Sequence, residues 1–348
     1  MNSDSTVAAV DCGTNSIRLL IVSANPETGK RHELTRLMRI VRLGEGVDET
    51  HRFSEAALER TFSVTREYAD ICAANGVEKL RFVATSASRD AENAEVFRTG
   101  IYEILGIFPE VIPGTEEAQL SFVGATSGHS FIEPTLVVDI GGGSTEFVAG
   151  TGTSMDAAIS TDMGSVRLQE RFFADRPQVL PGQFVPGHAA TDDLDPALLA
   201  VEDPQLFAAV KYVDGLIEQA HKVVDLAHIR HFIGVAGTVT TITAWALGLG
   251  EYRPVMIDGA VFDIAAALEA CRFMMQNPPQ VLARLGYMPA GREDVIGAGA
   301  LVWDRVLRRV ADVSGVTEVV TSERDILDGI ISSLLNKPCP GTPLLSVV

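Results

Sequence analysis

One motif occurs twice in this chain, and its repetition limits the possible folds more than any other feature. Residues 136–148 read LVVDIGGGSTEFV, in which apolar residues lead to an aspartate, three glycines, a hydroxyl pair and further apolar residues. Residues 7–22 read VAAVDCGTNSIRLLIV and follow the same scheme. Because glycine tolerates positive φ and close backbone approach, each copy predicts a strand, a tight turn and a second strand. Two copies in separate halves predict a duplicated domain whose two loops face one cleft.

The two turns are predicted to bind phosphate, because successive backbone N–H groups in such a turn form an anion-binding concavity. The predicted phosphate-binding residues are Gly13, Thr14, Asn15 and Ser16 in the first turn and Gly141, Gly142, Gly143, Ser144 and Thr145 in the second. Asp139 and Glu146 flank the second turn and are residue types that Mg²⁺ uses as ligands. For a single copy, a Gly-rich hairpin turn without a ligand is the alternative. Neither copy fits a Walker loop or a dinucleotide-binding loop, because no Gly-Lys-Ser/Thr and no helix pattern follows.

The paired loops resemble the two phosphate loops of the actin/Hsp70/sugar-kinase superfamily. Their forms DCGTNSIRLLI and VVDIGGGSTEFV resemble the exopolyphosphatase/guanosine pentaphosphatase (Ppx/GppA) family within it. Four further segments agree with that family: ATSASRDAEN at 84–93, IPGTEEAQLSFVGA at 112–125, MGSVRLQERF at 163–172 and GVAGTVTT at 234–241. The resemblance covers nearly the whole chain. It implies an α/β fold of duplicated actin-like ATPase (ribonuclease H-like) domains with a cleft between them.

The expected domain boundaries follow from the same resemblance. Residues 1–127 form actin-like domain I and residues 128–324 form actin-like domain II. Residues 325–348 hold a terminal helix that packs back towards domain I, and a tail. The chain therefore resembles the short, two-domain type of the family. The segment 177–196, rich in Pro, Gly and Asp, is assigned no chemistry.

The resemblance also implies which side chains do the chemistry. Glu117 matches the catalytic glutamate of the family, whereas its neighbour Glu116 is expected only to complement the dipole of the helix that it opens. Arg89 aligns with a family arginine and is assigned to the γ- or terminal phosphate, which a guanidinium binds through its rigid fork of donors. Asp11 joins Asp139 and Glu146 as a further acid near the metal ion.

Several side chains keep two interpretations at this stage. Arg18 either contacts phosphate or forms a salt bridge within its domain, and Arg167 is expected to support a loop. The basic run Lys30, Arg31, Arg36, Arg39 and Arg42 is either a path for a polyanion or a solvated edge hairpin. Leu327 and Asp328 stand where many family members have an arginine and a glutamate, so a function tied to that arginine is in doubt.

Composition bounds the function further. The formal net charge of −18 over 348 residues argues against a nucleic-acid-binding scaffold, and no apolar run is long enough to span a membrane. The N-terminus lacks a basic region followed by an apolar core, so no signal peptide is expected and the protein is predicted to be cytoplasmic. The four cysteines show no metal-ligand spacing. Cys12, inside the first loop, is expected to be a small buried hydrophobe rather than an oxidation-sensitive thiol.

The leading functional hypothesis is a Mg²⁺-dependent exopolyphosphatase that releases orthophosphate from the end of inorganic polyphosphate. The first alternative removes the 5′ γ-phosphate of guanosine pentaphosphate (pppGpp) with the same machinery. A sugar or acetate kinase and a non-catalytic alarmone or polyphosphate sensor are more distant alternatives. The resemblance also suggests a monovalent cation such as K⁺ as a second cofactor and a homodimer as the assembly.

Overall fold

The computed structural model describes residues 4–25, 28–127, 133–152, 154–176, 178–180 and 203–336. The chain divides into two compact units. Unit 1 holds the chain up to Gly124 and again from Ile326, and unit 2 holds Ala125–Asp325. Most of the segment 177–196 and the C-terminal tail lie outside the described residues. Among the described helices, none combines the length and the apolar character that a membrane span requires.

Unit 1 contains a five-stranded sheet in the order β3-β2-β1-β4-β5. The strands are β1 Ser5–Cys12, β2 Ser16–Ala24, β3 Arg31–Ile40, β4 Lys79–Ala84 and β5 Glu110–Val111. The first three strands form an antiparallel meander, and β4 and β5 run parallel to β1. The turn between β1 and β2 is the first predicted phosphate loop.

The helices of unit 1 cover both faces of this sheet. They are α1 Val47–Thr50, α2 Glu55–Ala74, α3 Ser86–Asp90, α4 Ala94–Leu105, α5 Gly114–Thr126, which continues two residues past the unit boundary, and α13 Ile326–Asn336. Helices α2 and α4 pack on one face through a core that includes Tyr68 and Phe97. Helices α5 and α13 pack on the other face, where Leu120 and Leu327 meet the side chains of β1 and β2.

Unit 2 contains a six-stranded sheet in the order β10-β11-β9-β6-β7-β8. Its strands are β6 Thr135–Ile140, β7 Thr145–Thr151, β8 Ser154–Thr161, β9 His231–Val235, β10 Val261–Asp263 and β11 Glu318–Thr321. The meander β6-β7-β8 and the parallel strands β9 and β11 repeat the order and directions of unit 1. Strand β10 is an addition at the edge. The predicted α/β fold with a duplicated domain is confirmed by this repeat.

The helices of unit 2 enclose one large core with the sheet. They are α6 Ser165–Phe173, α7 Pro204–Val223, α8 Ala236–Ala246, α9 Pro254–Ile257, α10 Ile264–Gln276, α11 Pro279–Leu282 and α12 Ile296–Ser314. Trp303 of α12 is buried against Phe232 of β9, with 5.2 Å between the ring centroids. The same indole explains Gly234, because a Cβ there would lie 2.7 Å from a Trp303 ring atom.

Local sequence signals fix some element boundaries. Ser54 caps α2 by accepting a hydrogen bond from the Ala57 amide, as its residue type predicts. Helix α12 begins at Ile296, after turns at residues 291–295. Short helices such as α3, α9 and α11 are below the length at which periodicity is visible.

Helix α13 is tied to unit 1 by side chains and by one close backbone approach. Arg36 donates to both carboxylate oxygens of Asp328 at 3.1 Å, and Arg81 donates to the Ser333 hydroxyl at 3.0 Å. A Cβ on Gly329 would lie 2.0 Å from the carbonyl oxygen of Leu120 in α5. Glycine is therefore required where α13 crosses α5.

The basic run of residues 30–42 does not form one positive surface. Arg36 and Arg39 are an odd number of residues apart on β3, so their side chains leave opposite faces of the sheet. Arg36 pairs with Asp328 and Glu33, and Arg39 pairs with Glu67 of α2. These contacts favour the edge-strand interpretation over a path for a polyanion.

Replacing Gly329 by alanine tests the close packing of α13. The added Cβ would overlap backbone of α5, so we expect the free energy of unfolding to fall by about 1–3 kcal/mol. Gly215→Ala, in α7 with open space around the new Cβ, should instead raise stability by roughly 0.5–1 kcal/mol. Thermal and denaturant unfolding followed by circular dichroism would measure both. Equal effects of the two substitutions would contradict the packing described here.

Candidate active site

The first predicted phosphate loop is a tight turn whose carbonyl oxygens are hydrogen-bonded to a neighbouring segment. The amide of Gly13 donates to the Ser16 carbonyl at 3.0 Å and closes the turn. The carbonyls of Thr14 and Asn15 accept backbone hydrogen bonds of 2.8–3.0 Å from the segment 41–44, which follows β3. The loop therefore directs its carbonyl oxygens towards the protein.

The second loop repeats this arrangement. The amide of Gly141 donates to the Ser144 carbonyl at 3.0 Å. The carbonyls of Gly141 and Gly142 accept hydrogen bonds of 2.8–3.1 Å from the backbone of residues 165–167 at the start of α6, which follows β8. Arg167 adds a hydrogen bond of 2.8 Å from Nε to the Gly143 carbonyl, so its predicted supporting role agrees with the geometry.

The amides at the tips of both loops are left for a ligand. Within the described part of the chain, no acceptor lies within hydrogen-bonding distance of the amides of Thr14 and Asn15, or of Gly142 and Gly143. Backbone N–H groups that are not paired within the fold are what an anion-binding turn presents to phosphate. Both loops present such amides, and phosphate binding by them stays a prediction.

The residues that flank the two loops differ between the units. Asp11 and Arg18 are opposite each other across β1 and β2, and Arg18 donates to Asp11 Oδ2 through Nε at 2.9 Å and Nη2 at 2.6 Å. Asp139 and Glu146 occupy the equivalent positions across β6 and β7. Unit 1 therefore pairs its aspartate with a guanidinium, whereas unit 2 places two carboxylates side by side.

This difference favours one of the two interpretations of Arg18. The structure gives Asp11 an arginine as its cationic partner, and its place near the metal ion stays a prediction. Arg18 forms the salt bridge within unit 1. Among the described residues, no group of three or more His, Cys, Asp or Glu side chains is arranged to hold a metal ion.

Thr145 departs from its predicted role. Its hydroxyl donates to the Met163 carbonyl, and its carbonyl accepts from the Thr161 hydroxyl at 2.9 Å. Because the side chain is fully buried and its donor is used, Thr145 supports the loop rather than binding phosphate. Of the predicted hydroxyl pair, Ser144 remains available.

Glu117 and Arg89 form a partly buried ion pair in unit 1. Arg89 Nη1 lies 2.8 Å from Glu117 Oε2 and also donates to the Ile112 carbonyl at 3.0 Å. Glu117 is only 8% exposed. The guanidinium holds the Glu117 carboxylate in one orientation.

Glu116, next in sequence, points elsewhere. Its carboxylate pairs with Arg81 at 2.7 Å, and the same guanidinium also binds Glu110. The pKa of Arg81 is raised: burial lowers it, but hydrogen bonds and the charges of these two glutamates outweigh that effect. Glu116 is therefore part of a structural ion-pair network.

Cys12 lies in the core beneath the first loop. Burial, and secondarily the charge of Asp11, raises the pKa of its thiol well above the usual value. The thiol stays protonated at neutral pH and is not accessible to oxidants, which agrees with the prediction of a small buried hydrophobe.

Comparisons with known proteins identify the family of this chain. The sequence profile of the Ppx/GppA phosphatase family matches residues 21–182. The chain is 39% identical over 336 residues to Exopolyphosphatase 2 of Mycobacterium tuberculosis. This alignment covers 94% of this chain and 98% of that protein. The chain belongs to the Ppx/GppA phosphatase family. The predicted family and the predicted enzyme class, a phosphatase, are confirmed.

Solved structures of the Ppx/GppA family show the same fold. An exopolyphosphatase-like protein of 40% identity superposes with a TM-score of 0.85 over 96% of this chain and 98% of that one. The family member from Aquifex aeolicus, of 25% identity, gives a TM-score of 0.71 over 96% and 99% of the two chains.

Apart from Arg167, sequence reasoning missed the residues that hold the loops. Segment 41–44 follows β3, Gly164 precedes α6, and Ser160 of β8 donates to Glu146 Oε1 at 2.6 Å. These residues act mainly through backbone atoms or through a neighbouring strand, so their side-chain types carry no signal. Their position after or on the third strand of each meander was the available clue.

Gly164 offers a test of loop support. A Cβ there would lie 2.2 Å from the Gly142 carbonyl oxygen, so Gly164→Ala should displace the second loop. We expect affinity for inorganic phosphate to fall by about tenfold or more, equivalent to roughly 1.4 kcal/mol. Gly250→Ala, which has open space, is the control, and isothermal titration calorimetry is the measurement. Unchanged affinity in a Gly164→Ala protein that melts like the control would show that α6 does not set the loop.

Proposed function

We propose that this protein is a Mg²⁺-dependent exopolyphosphatase that hydrolyses the terminal phosphoanhydride of inorganic polyphosphate. The observation that supports this most strongly is the pair of equivalent loops whose tip amides have no acceptor among the described residues. Loops of this kind are suited to phosphate groups, so a substrate made only of phosphate groups needs no further recognition elements in the protein. The name of the relative from Mycobacterium tuberculosis, Exopolyphosphatase 2, favours the same substrate.

Arg89 links the proposed base to the substrate. Its Nη1 is engaged by Glu117 and the Ile112 carbonyl. Its Nε and Nη2 have no hydrogen bond within the described part of the chain, so they are available to donate to a terminal phosphoryl oxygen. One guanidinium would therefore orient Glu117 and stabilise charge on the phosphoryl group that is transferred.

Glu117 is proposed to accept the proton of the attacking water. As the water oxygen forms its bond to the terminal phosphorus, the anhydride P–O bond breaks and the shortened chain leaves. The products are orthophosphate and a polyphosphate with one phosphate group fewer. The proton on Glu117 is then released to solvent or to the leaving oxygen.

Asp139 and Glu146 fit a Mg²⁺ ion. Both side chains leave the same face of the neighbouring strands β6 and β7, and their exposed fractions are 7% and 1%. Two carboxylates side by side attract a cation, and unit 1 supplies an arginine at the equivalent position. Mg²⁺ needs only one or two carboxylates and keeps water and phosphate oxygens as its other ligands. When bound, it would neutralise negative charge on the phosphate chain.

The substrate is decided by a direct comparison of activities. Initial rates of phosphate release from short-chain polyphosphate and from guanosine pentaphosphate should be measured side by side, with and without MgCl₂. We expect a higher kcat/KM for polyphosphate and loss of activity with EDTA. A clear preference for guanosine pentaphosphate would transfer the assignment to that alternative, and release from neither would support the sensor hypothesis.

Glu117→Gln tests the proposed base. Removing the proton acceptor while keeping the side-chain shape should lower kcat by about 10²–10⁴-fold and leave binding of tripolyphosphate largely intact. Glu116→Gln is the matched control, because the Glu116 carboxylate pairs with Arg81 instead. The kcat of this variant should stay near that of the wild type. Steady-state phosphate release and calorimetric binding provide the two readouts. A Glu117→Gln enzyme with wild-type turnover would remove Glu117 from the mechanism.

A further inference from the structure

Among the described residues of unit 1, three buried side-chain polar atoms have no hydrogen-bond partner. They are Thr14 Oγ1, Asn15 Oδ1 and Ser88 Oγ. Leaving a buried polar atom unpaired costs free energy. Such atoms are rare in folded proteins and call for an explanation, such as a ligand.

Thr14 and Ser88 belong to two segments that pack together. A Cβ placed on Gly44 would lie 2.3 Å from the Thr14 methyl carbon and 3.1 Å from Ala87 Cβ. The first loop and helix α3, which contains Ser88, therefore meet beside Gly44. The amide of Thr85, directly before α3, donates to the Cys12 carbonyl at 3.2 Å.

The two hydroxyls suit an anion with acceptor oxygens, whereas Asn15 Oδ1 is itself an acceptor and is not explained by an anion. A hydroxyl can donate to phosphate, which accepts only, and the neighbouring loop amides of Thr14 and Asn15 have no acceptor among the described residues. Ser88 directly precedes Arg89, the guanidinium assigned to phosphate. An aliphatic residue at position 88 would avoid the cost of an unpaired hydroxyl, so the described part of the fold does not explain this hydroxyl.

We propose that Ser88 is a further substrate-binding residue, which donates its hydroxyl to a phosphoryl oxygen beside the first loop, together with Thr14. This inference rests on the proposed polyphosphate function and extends its binding site beyond the residues that the sequence predicts. It assigns to the ATSASRDAEN segment a second phosphate contact in addition to Arg89.

The test uses opposite effects on stability and binding. Ser88→Ala removes an unpaired hydroxyl, so the Tm without ligand should stay unchanged or rise. Its Kd for tripolyphosphate should rise by about tenfold, because a hydrogen bond to a charged oxygen is lost. Thr65→Val is the control: the Thr65 hydroxyl donates to the Thr61 carbonyl at 2.8 Å, so this substitution should lower Tm and leave Kd unchanged.

Calorimetry with tripolyphosphate and MgCl₂ in a Glu117→Gln background measures Kd without turnover, and differential scanning calorimetry measures Tm. A Ser88→Ala variant with lower Tm and unchanged Kd would assign the hydroxyl to the fold and overturn the inference. If Ser88→Ala leaves both values unchanged while the parent binds tripolyphosphate, the inference fails and the proposed function stands. If the parent itself binds no tripolyphosphate, the proposed function fails as well.

Discussion

The backbone hydrogen bonds that hold the carbonyl oxygens of the two loops are the constraint on which the proposed chemistry depends. In unit 1 the donors follow the third strand, at 41–44, and in unit 2 they follow the third strand again, at 165–167. Because the C=O of one residue and the N–H of the next share a peptide plane, carbonyls of Thr14, Gly141 and Gly142 that turn inward turn the amides of Asn15, Gly142 and Gly143 outward, where an anion can bind. The binding groups are thus preorganised before substrate arrives.

Both units have these backbone hydrogen bonds, and they differ in the charge of one residue that flanks the loop. Residue 18 is an arginine that neutralises Asp11, whereas the equivalent residue 146 is a glutamate beside Asp139. In the proposed function, the first loop binds phosphate beside the Asp11–Arg18 pair, and the second loop binds phosphate together with a divalent cation held by its two carboxylates.

Much of this was predictable from the sequence, because it is carried by local residue chemistry. The repeated Asp-x-Gly pattern predicts the hairpins, Ser54 predicts the start of α2, and the family resemblance selects Glu117 and Arg89. The partners of Asp11 and Thr145, which are Arg18 and Met163, could not be predicted because they are decided by pairing across strands and by packing. Gly164 and Gly329 were not noticed, since a requirement for close backbone approach is invisible until the neighbouring chain is placed.

The most direct test of the account is the backbone amide spectrum of the two loops. ¹⁵N-labelled protein titrated with inorganic phosphate and MgCl₂ should show saturable shifts at the amides of Thr14, Asn15, Gly142 and Gly143. The amide of Gly215, in the middle of α7, should not move. If phosphate binds but these four amides keep their free-state shifts, the loops are not the phosphate-binding groups and the account is contradicted.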